Sequence, residues 1–479
     1  MTASSDVRPE STSDAHPGLS RRSMLSRSAT GVGIVLSGSF GGLFGAGGSP
    51  ATASGRGKPG AVGYGPLIED PNGLLSLPEG FSYKIVAQSG VTKLETGEPT
   101  PSDPDGTAAF VRHGGTGTVL INNHEVSGSE AYPVPRIPGL TYDPAAGGGT
   151  TTIEVDKLGN RVREYVSLAG THNNCAGGKS PWNTWLTCEE AESLSGQTKP
   201  HGYVFEVDPY DVDANREPKP IKALGRYAHE ALVIDPDRGT IYLTEDAGNP
   251  NGLLYRWTPP DASLPLGKGV LKSLPDDAGT LEALKASTID GAHVPDLSVA
   301  TTPGTTYRTE WVAVPDRDAA TVSTRKQFAN SDITRSRKLE GMWWGDGGAY
   351  FVCSFARLTD GSAAQHDGQI WFLDPLADTI ELKLHFAYTP LDQDEDPDGP
   401  DNITVSAYGG VIIAEDGDGK NHLVGSTESG EAFFFARNED PGDSEFTGPT
   451  FSNDKKILFA CVQSPGYVYA IQGPFTKQR

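Results

Sequence analysis

Residues 231–248 read ALVIDPDRGTIYLTEDAG, and residues 252–259 follow as GLLYRWTP. An apolar run meets an Asp-Pro-Asp-Arg-Gly turn, returns as a second apolar run, breaks at a polar loop and resumes. That is the pattern of a strand, a tight turn and two further strands, an antiparallel unit. The plan recurs. GMWWGDGGAYFVCS (341–354) is followed by GQIWFLDP (368–375), and NITVSAYGGVIIAEDG (402–417) by HLVGST (422–427) and GEAFFFAR (430–437). PTFSNDKKILFACVQS (449–464) leads into GYVYAIQGP (466–474), and GTVLINNHE (117–125) and GYVFEVDP (202–209) read as pieces of further copies. A three- to four-stranded unit repeated along a chain is the signature of a radial array of sheets. The expected fold is all-β, a β-propeller of about six blades of roughly 70 residues, longer than the usual ~40–50 per blade because of inserted loops. A large sandwich is the competing fold, but it does not explain four similar units.

Composition agrees. The chain has 479 residues with 59 Gly and 36 Pro, spread throughout, which favours many short strands over long helices. Its formal charge is 39 − 62 = −23, a surface that repels nucleic-acid phosphates and suits hard cations held by carboxylates. The four cysteines are too few for a disulfide scaffold. Cys353 and Cys461 lie in apolar strands and Cys188 in a similar setting, where a thiol behaves as a small hydrophobe. Cys175 stands apart, in the polar, glycine-rich GTHNNCAGGKSPWNTWLTCEE of residues 170–190.

Ser20-Arg21-Arg22-Ser23-Met24-Leu25 precedes a weakly apolar, glycine-broken run, and Ala51-Thr52-Ala53 offers a small-x-small cleavage site. This is the pattern of a twin-arginine export signal over residues 1–53, ahead of a single catalytic propeller over 54–479. The other reading is a chance arginine pair in a polar tail. The run is too weak for a membrane span.

Strands within the repeats end in acids: NNHE to Glu125, TCEE at Glu189 and Glu190, TED at Glu245 and Asp246, and AED at Glu415 and Asp416. Taken singly these are ordinary strand-to-turn residues. Recurring at one place in a propeller unit, they would crowd the central channel and repel one another unless cations stood between them. GRYAHE adds Glu230, with His229 beside it, and Lys338-Leu339-Glu340-Gly341 adds Glu340, with Arg337 and Lys338 as an anion-binding pair or a basic turn. The chain shows no G-x-S-x-G elbow, P-loop or H-E-x-x-H, which disfavours serine hydrolases, NTPases and common zinc proteases.

Taken together, the Arg-Arg signal, INNHE, HNNCAGGKSPWNTWLTCEE, GRYAHE, KLEG, PDNITV with IIAEDG, and EFTGPTFSNDKKILFACVQSPG resemble the PhoX family of bacterial alkaline phosphatases, in order, over residues 122–466. The resemblance implies a six-bladed propeller whose central site holds Fe(3+) and Ca(2+) and hydrolyses phosphomonoesters outside the cytoplasm, whether in periplasm, cell wall or medium. It implies Cys175 as thiolate ligand to iron and Glu189, Glu230, Glu340, Glu415, Glu125, Asp246 and Asp401 as carboxylate ligands, with amide contacts from Asn174 and Asn402. It also implies an arginine two positions before the Glu-Gly glutamate to hold substrate phosphate. Lys338 stands there instead, with Arg337 beside it. A lysine binds phosphate as a point charge and lacks the bidentate fork. The expected partners are a small phosphorylated substrate and the twin-arginine export machinery, with no nucleic acid and a monomeric state. Two rival functions fit a propeller: a calcium-dependent esterase or lactonase, and an exported binding protein without catalysis.

Overall fold

In the computed structural model, described over residues 62–192, 196–390 and 396–478, the 231–259 stretch folds as its turns dictate. His229–Ile234 and Ile241–Glu245 pair antiparallel, and Leu254–Thr258 and Thr280–Ser287 extend the sheet outward. The connecting turn is closed by Asp235, whose Oδ1 accepts from the amides of Asp237 (2.9 Å) and Arg238 (3.0 Å). Asp374 closes a later turn, between His366–Asp374 and Thr379–Ala387, in the same way, accepting from Leu376 and Ala377. Aspartate suits both places because its short carboxylate reaches the amides two and three residues on.

Six such units are present. Blade 1 comprises Pro104–Val111, Gly117–His124, Gly148–Asp156 and Arg161–Thr171. Blade 2 has three strands, Asn174–Lys179, Trp185–Glu189 and Val204–Val207. Blade 3 is the unit above. Blade 4 comprises Leu339–Gly345, Gly348–Cys353, His366–Asp374 and Thr379–Ala387, and Thr306–Ala313 ties its outer edge to that of blade 3. Blade 5 comprises Pro400–Val405, Val411–Glu415, His422–Ser426 and Ala432–Asn438, extended by Leu75–Pro78 and Leu67–Ile68. Blade 6 comprises Phe446–Phe451, Ile457–Val462 and Tyr467–Gln472, and its fourth strand is Ser82–Gln88, from the opposite end of the chain. The first strands of the six blades approach one another in sequence, and that of blade 6 approaches that of blade 1, closing the ring. This is the β-propeller read from the repeats. The described residues belong to one compact unit.

Each interface between blades is filled by apolar side chains. Trp185, Trp257 and Trp371 are fully buried, and each such side chain stabilises the fold by about 1.5–3 kcal/mol. Cys188, Cys353 and Cys461 are buried among them as free thiols. The described residues contain no α-helix and no helix long and apolar enough to cross a membrane. The export signal expected over residues 1–53 lies outside the described residues.

Candidate metal centre

Five of the six inner strands carry a potential ligand at their second residue: Asp105, Cys175, Glu230, Glu340 and Asp401. In every one of the six, pairing with the second strand slips at this point, between Pro104 and Thr107 in blade 1 and between Pro400 and Ile403 in blade 5, for example. Such a slip bends a strand and re-aims its side chains, and is common beside functional sites. The following residue faces the next blade and must be small. A Cβ on Gly106 would lie 2.6 Å from Ala176 Cα, and one on Gly341 would lie 2.8 Å from Asn402 Cα. Together with Ala176, Ala231, Asn402 and Pro449 these residues line a pocket of only about 20 Å³, where the inner strands pack closely against one another.

The potential ligands gather in three groups, each with donor atoms within 4.8 Å of one another: Cys175, Glu190 and Glu230; Glu230, Glu340 and Asp401; and Asp401, Asp416 and Glu445. Glu230 belongs to the first and second and Asp401 to the second and third, so the groups form one connected chain of donors. Of the residues singled out in the sequence, the structure therefore brings Cys175, Glu230, Glu340 and Asp401 together.

Glu189 and Glu415 stand elsewhere, and sheet register supplies the reason. Glu189 pairs with Asn174 and Glu415 with Pro400, each opposite the residue just before a ligand. Side chains alternate along a strand, so a shift of one residue reverses the direction. Glu190 and Asp416, one step further on, are the ones that join Cys175 and Asp401. Glu189 instead accepts from the amides of His172 (3.0 Å), Gly202 (2.8 Å) and Tyr203 (3.1 Å) and meets His201 Nδ1 at 2.6 Å. Glu415 meets the amide and Nδ1 of His422 at 2.8 and 2.9 Å. Glu245, opposite His229, accepts from Tyr255 Oη and the Leu253 amide. These three carboxylates brace the returning strands.

Glu125 accepts from Gln463 Nε2 at 2.6 Å, and the same amide reaches Asp105 Oδ2 at 3.2 Å. Neither Glu125 nor the half-buried Asp246 falls in the three groups. Asn174 anchors its strand, donating to Thr187 Oγ1 at 2.9 Å and accepting from Thr171 Oγ1 at 2.5 Å. Asn402 donates to Asp401 Oδ1 at 2.9 Å and accepts from the Gly448 amide at 2.7 Å, orienting a shared ligand. Lys338 Nζ lies 3.1 Å from Glu340 Oε1 and 3.7 Å from Asp416 Oδ2, and Arg337 Nε lies 3.4 Å from Asp360 Oδ2.

The donor set suits metal ions. Burial pushes the Cys175 thiol well above its ordinary range, and Glu230, Glu190, Glu125 and Asp105 push it further. Only a cation among these groups makes a thiolate favourable there. A thiolate beside carboxylates suits a transition metal, and the all-carboxylate groups suit a hard cation. The sequence reading did not include Glu445 as a ligand and left Glu190 and Asp416 behind their neighbours; Asp105, equivalent in strand position to Glu230, also escaped it but lies outside the three groups. One signal reaches Asp105: an acid followed by Gly, Ala or Asn at the head of an apolar strand, shared by Asp105-Gly106, Glu230-Ala231, Glu340-Gly341 and Asp401-Asn402.

The sequence model described as alkaline phosphatase PhoX matches residues 62–163 and 157–466. A comparison with curated proteins finds no match. Among solved structures, the chain is similar to the pyranose dehydrogenase PQQ domain of Coprinopsis cinerea (9% identity, TM-score 0.43, covering 83% of this chain and 97% of that one). It is also similar to the Swd1 β-propeller domain of Myceliophteria thermophila (11%, 0.39, 82% and 100%) and a gluconolactonase of Xanthomonas campestris (13%, 0.31, 78% and 98%).

Proposed function

The chain belongs to the PhoX alkaline phosphatase family, and from that premise we propose that it hydrolyses phosphate monoesters, outside the cytoplasm, at the donors gathered in the channel. The observation that carries this reading is the connected set of three groups sharing Glu230 and Asp401. Shared carboxylates hold neighbouring cations a few ångströms apart, the spacing at which they can act on one phosphoryl group.

In this reading Cys175, Glu190 and Glu230 hold iron, and Glu230, Glu340, Asp401, Asp416 and Glu445 hold iron and calcium between them. Bound Fe(3+) and Ca(2+) supply Lewis acidity towards the phosphoryl oxygens. The chain's own residues do the rest. Asn402 fixes the direction of Asp401, and Asn174 holds the head of the strand that presents Cys175. Lys338 and Arg337 add positive charge beside the acids, where an anionic ester must approach. Glu189 and Glu415 act as braces, and Glu125 and Asp246 lie at the margin. Export follows the twin-arginine route through Arg21 and Arg22, and passage in the folded state lets the metals be loaded beforehand.

The test is turnover of p-nitrophenyl phosphate by the mature protein with calcium present, together with elemental analysis. Turnover with iron in the protein is the expected result. A metal-replete protein that contains no iron and releases no p-nitrophenol overturns the reading. Hydrolysis of carboxylic esters or lactones with calcium alone places it with the esterases instead.

A further inference from the structure

Lys338 stands at the junction of two ligand groups. Its Nζ lies 3.1 Å from Glu340, a member of the second group, and 3.7 Å from Asp416, a member of the third. The side chain is 7% exposed. Its backbone is left-handed, with φ +47°, a conformation that lysine rarely adopts. The surroundings hold it there: its carbonyl accepts from the Ser354 amide at 2.9 Å, and Nζ lies 5.3 Å from the centre of the Phe355 ring. The ammonium is thus aimed between two carboxylates by a fixed backbone.

The three groups bring together seven acidic donors: Cys175, Glu190, Glu230, Glu340, Asp401, Asp416 and Glu445. Packing so many anions into a buried volume requires cations, and any positive charge already fixed among them reduces the number that must come from solution. We propose that Lys338 is a built-in cation of the cluster: its ammonium occupies the charge position between Glu340 and Asp416, so the chain recruits one fewer metal ion there. Lys338 is then a positioning residue that fixes two ligands, and contact with the substrate phosphate passes to its neighbour Arg337, 20% exposed beside Asp360. The inference rests on the metal-dependent reading above.

The experiment compares the mature wild-type protein with K338M and K338R by elemental analysis and by calcium titration followed through the melting temperature. K338M is expected to bind one further equivalent of calcium per chain and to gain more melting temperature from calcium than wild type. K338R, which keeps the charge, is expected to retain the wild-type metal content. Should K338M not accumulate as folded protein, K338Q carries the same comparison, since its amide keeps hydrogen bonding without charge. If the charge-neutral variant matches wild type in metal content and calcium response, and instead loses inhibition by orthophosphate, Lys338 is a phosphate clamp and the proposal fails alone. If wild type itself binds neither iron nor calcium, the metal-dependent reading fails with it.

Discussion

Gly341→Ala tests whether the second and third ligand groups depend on how closely two blades approach. The added Cβ would stand 2.8 Å from Asn402 Cα, 2.8 Å from Asp401 O and 3.0 Å from Ile403 N. All three are backbone atoms, so no side chain can swing aside. Non-bonded carbon atoms settle at about 3.5–4.0 Å, so the inner strand of blade 5 must retreat by roughly 0.7 Å or more. Overpacking of this kind costs about 1–3 kcal/mol. The displacement falls on Asp401, which belongs to two groups, and constellations of this kind tolerate only about 0.5 Å. The expected result is a lower urea midpoint, a smaller stabilisation by calcium and a reduced metal content. Gly267→Ala is the control, since nothing lies within 4 Å of its Cβ and its effect should stay within about 0.5 kcal/mol. Wild-type stability and metal content in Gly341→Ala would refute the claim that this contact sets the ligand spacing.

Cys175→Ser should lose iron and phosphatase activity while Cys353→Ser, buried in the core between blades 3 and 4, keeps its iron; equal effects on both would remove the distinction between them. Glu189→Gln should lower stability by about 1–3 kcal/mol, because the amide nitrogen faces backbone donors that the carboxylate satisfied, yet leave iron in place. Loss of iron with an unchanged urea midpoint would make Glu189 a ligand. Lys179, on the inner strand of blade 2, gives a pH signature. Burial, with a minor push from Lys455, lowers its amine to about 8 against an ordinary 10.5. Between those values the unfolded chain binds more protons than the folded one, so the contribution of Lys179 to stability rises with pH across that window and levels off above it. Lys179→Met should flatten the rise, seen by urea unfolding from pH 7 to 10.5; an unchanged slope would refute the assignment.

The repeats made the fold legible because each blade keeps the same local grammar, apolar run, short polar turn and apolar run, and those signals act within a few residues. The Asp235 turn is an example: everything that closes it lies between residues 235 and 240. Cys175, Glu230, Glu340 and Asp401 were legible directly, Glu190 and Asp416 only to within one residue. TCEE and IIAEDG point to the right edge of blades 2 and 5, but which of two adjacent acids turns into the channel depends on a slip in register that only the paired strands reveal. Glu445 was hidden for a different reason. Its companions, Asp401 and Asp416, come from another blade, and no local pattern says which strand ends will share a channel. Cys175 was distinguishable from the other three cysteines because it alone sat among polar and glycine residues.

The strand that completes blade 6 has a consequence for the order of events in the cell. Ser82–Gln88 is made early, but its partner Tyr467–Gln472 is nearly the last segment to be synthesised. Until then the N-terminal strand has no neighbour on its inner side, and blade 6, which closes the ring between blades 5 and 1, is incomplete. The donors of blades 2 to 5 are therefore enclosed only once that closing segment has been made. A chain ending at residue 445 would carry all seven donors and still lack the inner strand of blade 6 that closes the ring around them.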